Sequence, residues 1–194
     1  MALLLQYTLI YASVLLLVAL GGCFSERSGI INLGLEGIMV AGALGGALVM
    51  KYMPGLSPAA MVICVILGSV VFGMVFSLLL AVAAINFNAD ETLVGTAMNI
   101  LATAAATVFV KAINMLENPN NVASTIQYID QKKAFSLIKI GGFEINWFMI
   151  VTIVLLIAAN IILYRTRLGL RLMACGEHPQ AADSVGINVY KMRY

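Results

Sequence analysis

Charge is what this sequence lacks. Only 10% of its 194 residues are Asp, Glu, Lys or Arg, while 62% are hydrophobic. Soluble domains carry roughly 25% charged residues, so the composition identifies an integral membrane protein with no room for a separate soluble domain. A net charge of +2 offers little to a polyanion, and no nucleic-acid partner is expected. Cysteine is scarce too. Cys23, Cys64 and Cys175 are scattered, form no CxxC pair and have no His nearby in a ligand pattern, so neither a metal nor a cofactor is expected. Cys23 and Cys64 fall in apolar runs and read as buried, reduced thiols. The single histidine, His178, has no nucleophile beside it. There is no Gly-x-x-x-x-Gly-Lys-Ser/Thr loop for nucleotide. The chain reads as a non-enzyme.

What is present is long apolar runs. About 20 apolar residues cross a hydrocarbon core of roughly 30 Å. Five stretches qualify: Leu3 to Phe24, about Ile30 to Met53, Pro58 to Ile85, Thr92 to Ile113, and Ile145 to Tyr164. Runs this long favour helices over a barrel, because lipid offers the backbone no hydrogen-bond partners. The expected fold class is all-α, a polytopic transmembrane helical bundle. The first run ends in Leu20-Gly-Gly-Cys23, faintly like a lipoprotein cleavage site, but no basic residue precedes it, and a membrane span is the preferred reading.

Five spans put the two ends on opposite sides. The loops carry Arg27, Arg165, Arg167, Arg171, Lys191 and Arg193 on one side and Lys51, Lys111, Lys132, Lys133 and Lys139 on the other. The three arginines directly after the fifth span place that side in the cytoplasm. The loop from Asn114 to about Glu144 is then external. Phe135 to Ile140, followed by Gly141-Gly142, has the pattern of a short hairpin, but a plain connecting loop is the favoured reading. Asn146-Trp147 sits where an interfacial aromatic would anchor the fifth span.

Polar residues inside the spans are few and therefore informative. Asn32 and Glu36 stand four apart and are expected to share a face of the second span. A carboxylate at the centre of a lipid-facing helix costs roughly 2.5–3.5 kcal/mol, so Glu36 is expected to face protein or water. Partnership with Arg27 or a neighbouring backbone and a place on a translocation path both remain open for it. Gly34, Gly37, Ala41 and Gly45, and the Gly42-to-Gly46 pair, make a small-residue stripe suited to helix packing. Ser69, Gly73 and Ser77 do the same in the third span. In the fourth, Gly95, Asn99, Thr103 and Thr107 recur every four residues, with Glu91 one step before. That single polar face is expected to line an aqueous path, through Asn32, Glu36, Glu91, Asn99 and Thr103.

The last thirty residues, from Arg165, hold five of the eleven Lys and Arg and the only His. They read as two short helical pieces broken near Gly176 and Pro179, with Ala181, Ala182, Val185 and Gly186 at near-helical spacing. A solvated connecting loop is one reading. A docking element for a soluble partner is the preferred one. The chain thus divides into a membrane part, 1–164, and a cytoplasmic segment, 165–194.

Three blocks resemble a known group. Glu26-Arg-Ser-Gly-Ile-Ile-Asn-Leu-Gly-Leu-Glu-Gly-Ile-Met-Val-Ala-Gly-Ala43 is similar to an early-helix motif of bacterial ABC-transporter permeases for nucleosides and simple sugars. That broad group also holds ribose and branched-chain amino-acid permeases. Asn88-Ala-Asp-Glu-Thr-Leu-Val-Gly-Thr-Ala-Met-Asn99 resembles a second block, and Cys175 to Tyr194 resembles the cytoplasmic coupling loop. The resemblance implies a multi-pass subunit of the bacterial cytoplasmic (inner) membrane. It implies three partners besides the lipid bilayer: an ATP-binding subunit, a second permease subunit and an extracytoplasmic substrate-binding protein. Gly176, Glu177, Pro179, Ala181, Ala182, Gly186 and Ile187 would contact the ATPase. Members usually continue past this loop with further membrane helices, whereas this chain stops at Tyr194. The alternatives are a branched-chain amino-acid permease and a channel or secondary transporter working without an ATPase.

Overall fold

The computed structural model describes residues 2–126, 136–140 and 143–194. Among them, five helices are long and apolar enough to cross a membrane. They are α1 (Ala2–Arg27), α2 (Leu35–Tyr52), α3 (Pro58–Ala81), α4 (Glu91–Glu117) and α5 (Trp147–Arg165). A π-helical turn, Val82–Asn86, extends α3. Three short helices follow α5: α6 (Arg167–Glu177), α7 (Pro179–Ser184) and α8 (Val189–Arg193). The protein is a helical, multi-pass membrane bundle. Where the sequence favours a plain loop, β1 (Ser136–Ile140) and β2 (Phe143–Asn146) pair as an antiparallel hairpin. Phe135 and the Gly141-Gly142 pair of that motif lie outside the described residues, as does the side chain of Trp147.

The second span departs from expectation. Its helix begins at Leu35 rather than near Ile30. Gly29 takes a left-handed φ of +85°, and residues 30–34 run on without helix. Hydropathy alone does not register such a break, because an unwound apolar stretch is as apolar as a wound one.

The described residues form two compact units. One draws on residues 1–32, 81–92 and 136–194. In it α1 lies along α5 and meets α6, and α6 packs on α7 and α8. Two of its buried polar side chains, Ser13 and Thr152, are satisfied within their own helices. Ser13 donates to the Ile10 carbonyl and Thr152 to the Phe148 carbonyl, each at 2.7 Å. Most leucines and isoleucines of α1 and α5 are exposed, as a lipid-facing surface demands.

The other unit draws on residues 33–80 and 93–135. Its α2–α3 contact is built on missing side chains. A Cβ at Gly45 would sit 2.6 Å from the Gly68 carbonyl, and one at Gly46 would sit 2.6 Å from the Ser69 hydroxyl. Such approach is the usual way membrane helices gain packing energy when both helix and lipid are apolar. Met61 and Val65 are buried beside this contact, against Val49 and Met50. The small-residue stripe is therefore structural, as the sequence implies. Ser77 only returns its hydroxyl to the Met74 carbonyl.

Candidate functional site: the C-terminal helices and the polar face of α4

The C-terminal helices are shaped by their own capping residues. Thr166 leaves the helical conformation (φ −112°, ψ 157°) and separates α5 from α6. Its hydroxyl accepts from the Gly169 amide at 3.3 Å and donates to the Ile162 carbonyl at 2.6 Å. A side chain at Gly169 would collide with the Leu163 and Ile162 carbonyls, so the reversal requires glycine. Gly169, Leu172 and Cys175 recur every three residues and form the buried face of α6. Cys175 is thus the fully buried thiol, while Cys23 and Cys64 are half-buried, a correction to the sequence reading.

Two glycines of this segment do different work. At Gly176 a Cβ would run into the Arg27 carbonyl, and Gly29 lies beside it. Gly176 is thus a contact point between α6 and the end of α1, turned inward. Gly186 has open space around it but a φ of +83°. Its amide donates to the Asp183 carbonyl at 2.9 Å, and the Ile187 amide reaches the Ala182 carbonyl at 3.1 Å. That pairing is the Schellman closure of a helix end, so α7 stops at Ser184 and Val185-Gly186 is its cap. The sequence suggests two helical pieces here; the structure has three.

The expected contact residues divide by exposure. Glu177, Ala181 and Gly186 are exposed, Gly176, Pro179 and Ile187 are half-buried, and Ala182 is the buried residue of α7. His178 is also exposed, and its amide closes α6 by donating to the Ala174 carbonyl at 3.1 Å. Pro179 opens α7, where its missing amide costs nothing. Val185, which the sequence groups with Ala181, Ala182 and Gly186, is an apolar side chain 73% exposed on this polar segment. At the end of the chain, the Tyr194 hydroxyl donates to Asn86 of the π-turn at 2.9 Å. A cavity of about 250 Å³ is lined by Ile85, Asn88 and Glu91 on one side and by Asp183, Tyr190 and Arg193 on the other.

The polar face of α4 is engaged with backbone. Glu91, half-buried at the start of α4, accepts from the Ile31 amide at 2.6 Å. Within the unit that holds residues 33–80, α2 starts behind Gly34, which supplies no capping side chain. The first amides of a helix have no partner within it. Asn99 supplies one from α4: its carbonyl accepts from the Gly37 amide at 2.7 Å, and its NH2 donates to the Leu33 carbonyl at 3.0 Å. Gly95 lets this chain approach, since a Cβ there would lie 2.9 Å from the Gly34 nitrogen. Thr103 and Thr107 turn their hydroxyls back to their own helix, to the Asn99 and Ile100 carbonyls and to the Thr103 carbonyl respectively. Asn32 is half-buried and precedes the start of α2, so it shares no helical face with Glu36, which is exposed in the first turn. Among the described residues no group of His, Cys, Asp and Glu is placed to hold a metal ion.

Comparison with known proteins adds identity. The profile of the family described as branched-chain amino acid transport system / permease component matches residues 4–194. The guanosine ABC transporter permease protein NupQ of Bacillus subtilis is 40% identical over 191 residues, covering 96% of this chain and 60% of the relative. The nucleoside ABC transporter permease protein NupC of Lactococcus lactis is 37% identical over 196 residues, covering 96% and 59%. The chain therefore spans about three-fifths of the length of these relatives. No solved structure matches it.

Proposed function

The chain belongs to the branched-chain amino acid transport system / permease component family, and from that premise we propose that it works within the permease subunit of an ATP-driven importer of nucleosides. Transport proceeds by alternating access across the bacterial cytoplasmic membrane. The chain itself hydrolyses nothing; a separate ATP-binding subunit does so. A second permease subunit and an extracytoplasmic substrate-binding protein complete the assembly. The single observation carrying this reading is the likeness over almost the whole chain to two permeases named for guanosine and nucleoside transport.

Residues 165–194 are the coupling segment and residues up to 164 the membrane part. Within the segment, Gly176, Glu177, Pro179, Ala181, Ala182, Gly186 and Ile187 serve the ATPase contact. The exposed Glu177 and Ala181 touch the partner, while the inward-facing Gly176 and Ala182 hold the segment in shape. ATP binding displaces the docked helices and switches the membrane path by differential affinity for its two states. Asn32, Glu36, Glu91, Asn99 and Thr103 lie along that path. Unwound backbone at residues 30–34 supports the assignment, because non-helical chain in a membrane is tolerated where protein or a water-filled cavity covers it.

The test is uptake of labelled guanosine into cells that lack the gene and carry it back on a plasmid. Restored uptake that collapses when ATP is depleted is the expected result. Restored uptake of leucine but not of guanosine would move the substrate to branched-chain amino acids, the class in the family's description.

A further inference from the structure

α2 and α4 are fastened at both ends of their contact, by residues that no local sequence rule pairs. At one end the Asn99 carboxamide bridges the Gly37 amide and the Leu33 carbonyl, at 2.7 and 3.0 Å. At the other, the Lys51 ammonium meets the Glu117 carboxylate at 2.9 Å, with the lysine side chain only 11% exposed. The fourteen residues from Gly37 to Lys51 place the fastenings about 21 Å apart along the helix. Near Asn99 the helices also approach without side chains between them: a Cβ at Gly37 would lie 2.9 Å from the Met98 carbonyl. The first amides of α2 have no partner within the helix, and Glu117, although its side chain is 55% exposed, is the carboxylate that meets the largely covered Lys51. Separation would uncap α2, whose own N-cap residue is glycine, and leave a nearly buried ammonium without its counter-charge.

We propose that α2 and α4 keep their mutual geometry throughout the transport cycle, and that Asn99 is the positioning residue that ties them by capping α2 from outside. The proposal rests on the permease reading above. The conformational change of transport is then taken up at other contacts.

The test uses the full-length permease assembled with its ATP-binding subunit and substrate-binding protein in liposomes. Lys51→Cys and Glu117→Cys are combined and joined by a short, cleavable bifunctional thiol reagent. Single-cysteine variants treated alike correct for Cys23, Cys64 and Cys175. ATP-driven uptake after joining is expected within about twofold of the unjoined protein, because a tie across a contact that never opens leaves the barrier unchanged. Uptake arrested by the tie and restored by its cleavage overturns the proposal.

A second arm uses Asn99→Leu, which removes both bonds at similar volume. Uptake is expected to fall about tenfold, the consequence of leaving a helix-end donor and an acceptor unpaired. Joining positions 51 and 117 in that background is expected to recover most of the loss, which would not follow if the substitution had only disordered the fold. Native-level uptake by Asn99→Leu, or no recovery on joining, overturns the capping role. If that variant does not assemble, the joining experiment decides alone. An unmodified assembly with no ATP-driven uptake removes the permease reading and this proposal together. A working assembly arrested by the tie removes the proposal only.

Discussion

The C-terminal helices and α2 close their ends in opposite ways. α6, α7 and α8 are closed by nearby residues: Thr166 caps α6, Pro179 opens α7 without an amide to satisfy, Gly186 ends it, and Asn188 caps α8, its side chain accepting from the Lys191 amide at 3.0 Å. α2 has Gly34 at its start and takes its cap from Asn99, sixty-two residues beyond Gly37. Local closure satisfies a helix end without borrowing a group from another helix, which suits the docking role proposed for residues 165–194. A helix in lipid has no water to satisfy its first amides, so a neighbouring side chain is the available donor or acceptor. Local caps close a helix end without a second helix. A borrowed cap makes two helices depend on each other.

That contrast breaks at particular positions. The largest effect is expected at Gly169→Ala, because the added carbon meets two backbone carbonyls that have no freedom to move. The loss is about 3 kcal/mol or more, the upper range for overpacking, measured as the fall in unfolding free energy in detergent. Asn99→Leu comes next. Two bonds between membrane helices disappear, at a cost of about 1–3 kcal/mol, and protection of the Gly37 amide in hydrogen exchange should fall while that of α7 is unchanged. Gly186→Ala follows, with strain of about 1–2 kcal/mol from forcing a side chain into the left-handed region. It should loosen α7 alone. Asn188→Ala is the smallest, about 1 kcal/mol for a lost N-cap, visible as fraying of α8. If Asn99→Leu loosened α7 as much as α2, or Gly186→Ala loosened α2, the distinction between local and borrowed closure would fail.

Legibility from sequence follows the same line. The five spans were readable, because apolar length needs no knowledge of neighbours, and each lies within a few residues of its helix. The break around Gly176 and Pro179 was readable for the same reason that caps work: the signals are local. The residues of the α4 face were readable as a set, since recurrence every four residues fixes which side chains share a side. What that side meets was not, because periodicity carries no information about the partner. Asn99 holds unwound chain, and Thr103 and Thr107 bond their own helix. The unwinding before Leu35 was hidden because Ile30, Ile31 and Leu33 keep the run apolar. The pairing of Lys51 with Glu117, at 2.9 Å, joins residues with no local relation at all. The two roles of Gly176 and Gly186 were likewise merged in sequence, where both look like small residues suited to docking.

That last distinction selects the variant for the central test. Gly186 is a poor probe of docking, since its φ of +83° means that any substitution there disturbs the backbone as well as the surface. Ala181 is exposed on a short helix, and a change there alters only what a partner meets. The most direct measurement is co-purification of the ATP-binding subunit with the full-length permease from membranes, for the native protein and for Ala181→Asp. Retention by the native protein and loss by the variant, with equal permease in both membranes, is the predicted result. Equal retention by both would contradict the claim that residues 165–194 couple the membrane helices to the ATPase.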